Sequence, residues 1–164
     1  MPLPSLRGCA VPALFFAITA ALAPVPLARA AAPAVLPLRT LAAGPDCSFT
    51  KPERKVVRSA AEWKALWLRL PAVLDGRPAP PPKVDFAKET VLAVFMGRKP
   101  TAGYAVRIAE ARVESGKVVV TVRERTPPPG GVAAEVLTAP YCLAAVKKSP
   151  LPVAWKTLPE QPGR

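Results

Sequence analysis

Histidine does not occur in this chain of 164 residues, and its absence excludes several kinds of site. Without an imidazole there is no Ser-His-Asp or Cys-His arrangement, no histidine-ligated metal centre and no histidine general base. Acidic residues are also few, because 11 Asp and Glu stand against 23 Lys and Arg, and the formal net charge is +12. What remains is chemistry by carboxylates, lysines or a lone thiol, and we expect a basic domain that is not an enzyme and that holds neither a cofactor nor a metal ion.

The apolar run near the N-terminus, residues 11–23, is too short to cross a bilayer as a stable anchor. It is followed by Ala28-Arg29-Ala30, which fits the small-residue rule of signal peptidase. We interpret residues 1–30 as a signal peptide and predict export to the periplasm or the extracellular space, with no transmembrane span after cleavage. Cleavage would remove Arg7 and Arg29 and no acid, so the net charge would fall from +12 to +10. A retained N-terminal anchor is the alternative.

Cysteine is scarce, and cleavage would remove one of the 3 cysteines, Cys9. Cys47 and Cys142 would then form an even pair in an oxidising compartment, where disulfides persist. A disulfide between them would stabilise the fold by about 4 kcal/mol by restricting the unfolded chain. Alternatively both thiols are unpaired, and Cys142 is buried in a strand as a small hydrophobic residue. The residues leave both arrangements open.

Composition divides the rest of the chain into three parts. Residues 31–50 contain prolines at intervals and show no hydrophobic period, so we predict an extended, flexible tether. Residues 51–158 carry the periodic apolar patterns of a single folded domain. Residues 159–164 are predicted to be a loose tail.

One amphipathic helix is strongly indicated. Ser59 is a suitable N-cap with Glu62 as its capping-box partner, and four apolar residues follow at helical spacing: Trp63, Leu66, Trp67 and Leu70. We expect their shared face to pack on the core rather than to bind a ligand. Pro71 should end the helix, and the proline-rich residues 71–83 should cross the surface as a stiff polyproline II connection.

The other apolar segments predict strands. Residues 91–96 are apolar on both faces, as in a buried central strand, and Gly97 bounds them. Alternating residues on either side of Ser115-Gly116 predict an antiparallel hairpin, and shorter strands are expected at 54–58, 136–138, 141–146 and 153–155. The predicted fold is therefore α+β, a mainly antiparallel sheet of about six strands with one amphipathic helix packed on it.

Five short segments, taken in order, carry a family resemblance. They are Ser59-x-x-Glu62-Trp63-x-x-Leu66-Trp67, Val84-Asp85-Phe86, residues 91–97, Thr101-Ala102-Gly103-Tyr104 and Thr138-x-Pro140-Tyr141. Over roughly residues 54–155 their order and spacing resemble the PrcB C-terminal domain family. That family is named for a secreted or surface subunit that associates with and stabilises a subtilisin-like protease complex. The resemblance implies assembly with an exported partner and does not imply catalysis.

The interaction surface is expected on two loops, since loops presented by a rigid sheet concentrate binding residues. An aromatic residue beside a glycine turn can anchor in a pocket of a partner. The predicted interaction residues are Thr101, Gly103, Tyr104, Pro127, Pro128, Pro129 and Gly130. Tyr104 could instead point into the core as the first residue of its strand, which would leave Gly103 only to make the turn.

The same loop shows a departure from the family, which usually has Gly-Gly where this chain has Ala102-Gly103. If the first of these positions has a positive φ, Ala102 would cost about 1 kcal/mol and the loop would be strained or reshaped.

Two other binding functions are weighed against assembly. Residues 99–104 are similar to the Asn-Pro-Thr-Thr-Gly-Tyr loop of the chagasin-like cysteine protease inhibitors, but Lys99 replaces the Asn and no Arg-Pro-Trp-type segment follows. The basic charge also predicts weak, salt-screened adsorption to anionic envelope polymers. The cations form no dense stripe, and export makes specific nucleic-acid binding a poor fit.

An enzymatic function would have to use carboxylates, lysines or a thiol. Pairs of acids could be drawn from Asp85, Glu89, Glu110, Glu114 and Glu124. Scattered acids on a basic protein are far more often solvated or salt-bridged, so we expect no catalytic residues.

Overall fold

The computed structural model describes residues 34–70, 73–74, 77–130 and 133–160. In chain order the elements in these ranges are β1 Ala34–Leu36, β2 Leu38–Gly44, β3 Glu53–Val57, α1 Ala60–Trp67, β4 Val73–Leu74, β5 Arg77–Pro78, β6 Glu89–Phe95, β7 Ala105–Glu114, β8 Lys117–Arg125, β9 Tyr141–Lys147 and β10 Val153–Pro159. The predicted signal peptide, residues 1–30, lies outside the described residues.

Eight of these strands form two four-stranded sheets. Sheet A has the strand order β1-β7-β8-β10, and sheet B has the order β2-β9-β6-β3. The paired strands within both sheets are antiparallel except β8 and β10, which run parallel. β4 and β5 form a separate two-stranded ladder. The predicted α+β character therefore holds in outline, but the eight strands form two sheets rather than one sheet of about six strands, and β8 and β10 are parallel.

Sheet B has a hydrophobic core on each face, because its central strands β6 and β9 are buried on both sides. Leu92 and Val94 of β6 pack with sheet A, whereas Val91, Ala93 and Phe95 of the same strand pack with α1. A strand with two buried faces needs apolar residues at every position, which is why residues 91–96 form a continuous hydrophobic run. The prediction of a buried central strand is confirmed.

The N-terminus of α1 follows its prediction closely. The Ser59 hydroxyl accepts a hydrogen bond from the Glu62 N–H at 3.3 Å, and the Glu62 carboxylate accepts one from the Arg58 N–H at 3.0 Å. The helix ends at Trp67, and Leu70 remains buried in the turn that follows. Pro71, expected to end the helix, lies outside the described residues.

Both tryptophans of α1 are buried, and their indole N–H groups bind the proline-rich connection. Trp63 donates to the Pro82 carbonyl at 3.1 Å, and Trp67 donates to the Ala79 carbonyl at 2.6 Å. These bonds satisfy the two indole donors and hold residues 79–82 against the helix. The tryptophan pair is therefore part of the core, as expected, and the described part of the connection is bound rather than only a spacer.

Residues 34–50 are not a flexible tether, which corrects the prediction for residues 31–50. β1 pairs with β7 in sheet A, β2 pairs with β9 in sheet B, and Phe49 is buried beneath α1. A register shift between Thr40 and Ala42 interrupts the alternation of β2. A β-bulge of this kind breaks the period of two by which a strand is recognised in a sequence. Pro37, which lacks an N–H, separates the two strands as the chain passes from one sheet to the other.

The hairpin of β7 and β8 is confirmed, and its turn has the expected geometry. Ser115 and Gly116 have φ values of +48° and +72°, as a two-residue turn with both central residues left-handed requires.

Two other local predictions are wrong. Residues 136–137 form no strand, and only Thr138 makes an isolated bridge, with Lys99. The tail is ordered through Glu160, since β10 reaches Pro159 and the Glu160 N–H donates to the Glu124 carbonyl at 2.8 Å. Residues 161–164 lie outside the described residues.

Gly97, at the end of β6, provides a test of backbone packing. Its φ is +68°, and a Cβ there would lie 2.7 Å from the carbonyl carbon of Lys51. Gly97→Ala should therefore lower the free energy of unfolding by about 3 kcal/mol, from left-handed strain plus overpacking. Gly116→Ala is the matched control, because its φ is +72° and no atom lies within 4 Å of the place that a methyl group would occupy, so about 1 kcal/mol is expected. Urea denaturation measures both, and equal losses would contradict the packing argument.

Candidate functional site

The two loops predicted to bind a partner meet at one end of the sheets. Gly103 has a φ of +94°, and a Cβ at this position would lie 3.1 Å from Cγ of Pro127. The turn at residues 101–104 and the loop that begins at Thr126 are thus in direct contact. The structure brings together Gly103 and Pro127 from two parts of the chain that are separated by the whole β7–β8 hairpin.

Hydrogen bonds to residues 134–138 hold the turn in place. Lys99 and Thr138 exchange two backbone bonds of 2.7 and 3.0 Å. The Thr138 hydroxyl donates to the Thr101 carbonyl at 3.0 Å, and the Ala102 N–H donates to the Ala134 carbonyl at 2.9 Å. Thr101 therefore contributes through its backbone, and buried Thr138 fixes the conformation of the turn from inside.

Ala102 does not strain the turn. Among the described non-glycine residues, Ser115 alone has a positive φ, so the left-handed position of the turn is Gly103 and not Ala102. Ala102, which stands where the family usually has its first glycine, therefore causes no left-handed backbone strain.

Tyr104 is half-buried and packs against the core between the two sheets. The Lys99 ammonium lies 5.5 Å from the centre of its ring, within the range of a cation–π interaction. Much of the Tyr104 side chain therefore packs into the core of this domain, as in the alternative given for it above.

A groove of about 390 Å³ lies between the two loops. Its described lining residues are mostly apolar or small, and one of them is charged: Ala102, Gly103, Arg125, Thr126, Pro127, Pro128, Ala133 and Ala134. Gly103, Pro127 and Pro128 of the predicted set line this groove. Thr101, Tyr104, Pro129 and Gly130 do not, and Gly130 has open space around it.

Sequence reasoning missed the segment of residues 133–137, which begins with two residues of the groove lining, Ala133 and Ala134. The residues that follow include two exposed large hydrophobic side chains, Val136 at 57% and Leu137 at 62%; Leu137 lines a separate groove with Cys47 and Arg98. Their apolar character was interpreted as a strand. The distinguishing signal is the segment's position directly after a Pro-Gly loop, where surface apolar residues would be presented by a turn.

The candidate acids are dispersed in ion pairs and do not converge. Glu89 binds Arg39 at 2.9 Å, and the other pairs are Asp85 with Lys88, Glu110 with Arg112 and Glu124 with Arg54. Glu114 is exposed near the tip of the hairpin. In the described part of the chain, no group of three His, Cys, Asp or Glu side chains could hold a metal ion. The interpretation of these acids as salt-bridged or solvated is consistent with this placement.

Cys47 and Cys142 lie on opposite faces of sheet B and both thiols are free, so the structure has the unpaired one of the two arrangements that the sequence left open. Cys142 packs between the sheets, whereas Cys47 packs on the α1 side and donates to the Ala139 carbonyl at 3.0 Å. Burial raises the pKa of each thiol, and the N–H bond from Phe49 opposes this only in part at Cys47. The alternation of β9 prevents the bond, because it directs Cys142 away from α1.

Comparison with protein families matches residues 90–147 to the family described as PrcB C-terminal. The matched segment runs from β6 to β9 and contains both loops of the groove, whereas β1, β2, β3, α1 and β10 lie outside it. The recognition of this family from the sequence is thus confirmed over a shorter range than residues 54–155. No curated protein and no solved structure matches the chain. No helix in the described part of the chain has the length and hydropathy of a membrane span.

Both thiols should react slowly with Ellman's reagent in the folded domain, because the thiolate is the reactive form and burial raises each pKa above 9.0. Unfolding in urea without a reductant should expose both thiols, whereas a disulfide would expose neither. As the pH rises, the two thiols ionise in the unfolded chain before they ionise in the folded one. The free energy of unfolding should therefore fall as the pH rises from about 9 through the pKa values of the folded thiols. Cys142→Ala should reduce that loss in thermal melts, and an unchanged pH profile would contradict the assignment.

Proposed function

With a PrcB C-terminal domain at residues 90–147, we propose that the chain is an exported, non-catalytic interaction domain that associates with and stabilises a protease complex. The observation that carries the proposal is the groove formed where the turn at 101–104 meets the loop at Pro127. Both loops lie inside the matched segment, so the part of the chain that carries the family relationship also carries the surface.

The surface has the properties of a protein contact. The groove has a mostly apolar lining, and Val136 and Leu137 expose apolar side chains two and three residues after Ala134 of that lining. Apolar groups that are held rigidly lose little conformational entropy when a partner covers them. Arg125 supplies a charge at the edge, where it would select a partner with an acidic or carbonyl-rich rim.

Stabilisation of a partner needs no chemistry from this chain. A domain that binds the native form of a protease and not the unfolded form stabilises it by mass action, by about 2.7 kcal/mol at a concentration 100 times the dissociation constant. The ion-paired carboxylates and the two buried thiols of raised pKa support a non-catalytic role.

A groove-filling variant tests the proposed surface. Ala134 is exposed and lines the groove, so Ala134→Trp should obstruct it without entering the core. Ala61→Trp is the control, since Ala61 is exposed on α1 and does not line the groove. After crosslinking, the tagged full chain should recover one exported protease from envelope or secreted fractions at near-stoichiometric yield. Ala134→Trp should lower that recovery about tenfold, equivalent to roughly 1.4 kcal/mol of binding free energy.

Other outcomes would contradict the proposal. Equal recovery with Ala134→Trp and Ala61→Trp would place the contact elsewhere. Recovery of only salt-sensitive anionic polymers would favour the alternative of a basic envelope domain. Inhibition of papain by the exported protein, abolished by Ala134→Trp, would favour the chagasin-like inhibitor instead.

Export is a separate part of the proposal and has its own test. The full chain should be expressed in a bacterium with a functional secretion system. The protein that accumulates in the periplasm or medium should have the mass of a chain whose first residue is Ala31. Ala28→Leu together with Ala30→Leu should block cleavage, because the peptidase requires small residues at these positions. Retention of the full-length chain in the cytoplasm would overturn the signal-peptide interpretation.

A further inference from the structure

The two sheets are open on one side and closed on the other. On the closed side the chain crosses directly from β1 in sheet A to β2 in sheet B. On the other side β10 and β3 are the edge strands, and the Arg54 side chain extends from β3 to contact Thr157 of β10. Within the described residues, no strand pairs with the outer edge of β3. Alternate residues of that edge direct their N–H and C=O groups away from β6, which leaves them free to pair.

A groove of about 360 Å³ runs between β3 and α1. Its strand wall includes Lys55 and Val57, and its helix wall includes Glu62, Ala65, Leu66 and Arg69. None of its lining residues belongs to β6, so the groove lies along the outer side of β3. A free strand edge that faces a helix across a groove with both apolar and charged side chains is suited to an extended peptide that adds to the sheet.

The charges of this groove favour an acidic occupant. The Arg69 guanidinium lies 3.9 Å from the centre of the Phe49 ring, and the Lys55 ammonium lies 5.5 Å from the same centre. Lys55 also binds Glu53 at 3.0 Å, whereas none of the ion pairs among the described residues includes Arg69. The one carboxylate of the lining, Glu62, accepts the Arg58 N–H. Two cations thus lie over one ring, and Arg69 has capacity for a carboxylate.

We propose that an extended acidic segment of a partner protein binds between β3 and α1 and adds a strand to the edge of sheet B. Its backbone pairs with β3, its apolar side chains enter the groove beside Val57 and Leu66, and its carboxylates pair with Lys55 and Arg69. The site lies outside residues 90–147 and away from the groove at Gly103, so it does not depend on the function proposed above.

Charge also decides between a foreign segment and a second copy of this chain. The chain carries a net charge of +12, and β3 itself contains Arg54 and Lys55. Edge-to-edge pairing of two copies would place these cations near their counterparts, and charged edge strands are a common means of preventing such pairing. An acidic strand meets no such repulsion.

The probe for the test is a fluorescein-labelled hexapeptide of alternating glutamate and valine, titrated with the full chain and followed by anisotropy. Binding should saturate, and it should weaken as salt is raised because exposed ion pairs are screened. A probe with lysine in place of glutamate should bind at least about tenfold more weakly. A probe that is N-methylated at alternate residues should lose binding to a similar extent, because it cannot donate to the edge of β3.

Substitutions on one helix locate the site. Ala65 is exposed and lines the groove, so Ala65→Trp should raise the dissociation constant of the probe about tenfold. Ala61→Trp on the same helix and Ala134→Trp at the other groove should leave it unchanged. Amide exchange of residues 53–57 should slow when the probe is present.

Three results would overturn the proposal. The first is no saturable binding of the glutamate–valine probe. The second is binding that Ala65→Trp and N-methylation both leave unchanged. The third is concentration-dependent dimerisation, abolished by Ala65→Trp, which would assign the groove to a second copy. None of these depends on whether a protease is captured through the surface at Gly103, so the two proposals can fail separately.

Discussion

The burial of β6 and β9 on both faces is the constraint on which the rest of the structure depends. Each strand supplies side chains to two cores at once, so one core must be covered by sheet A and the other by α1. Loss of either layer would expose a strand that has no polar face to present to water. The helix is short, but its two buried tryptophans cover much of that surface. The same alternation separates Cys47 from Cys142.

The groove between the turn at residues 101–104 and the loop at Pro127 is rigid because of this arrangement. Thr138 and Pro140 immediately precede β9 and are buried, so the segment that holds the turn at residues 101–104 is anchored by the central sheet. A turn fixed from beneath by side chain and backbone bonds loses little freedom on binding. The edge of β3 differs in kind, because its binding groups are backbone amides rather than a shaped loop. One small fold thus presents two surfaces that recognise different features of a partner.

Patterns that depend on local spacing could be predicted from the sequence. The capping box of α1, the continuous apolar run of β6 and the alternating hairpin with Ser115-Gly116 all follow from neighbours in the chain. The partition of the strands into two sheets could not, because it depends on pairings between distant segments such as Leu38 with Val146. At the groove, the sequence indicates that Gly103 and Pro127 lie in binding loops, but it does not indicate that residues 133–137 lie beside them. Their exposed apolar side chains resemble a strand until their lack of partners is known.

The order of the strands has a consequence for how the chain folds. β6, β7, β8 and β9 are consecutive in sequence, and each of them pairs with at least one other member of this group. β1, β2 and β3 precede them and attach at edges, and β2 must span about a hundred residues to reach β9, with the loop-closure entropy that such a distance entails. A nucleus formed by the four central strands would therefore precede the addition of the edges. The framework to which the edge strands are added would then be nearly coextensive with residues 90–147, the segment that the family model matches.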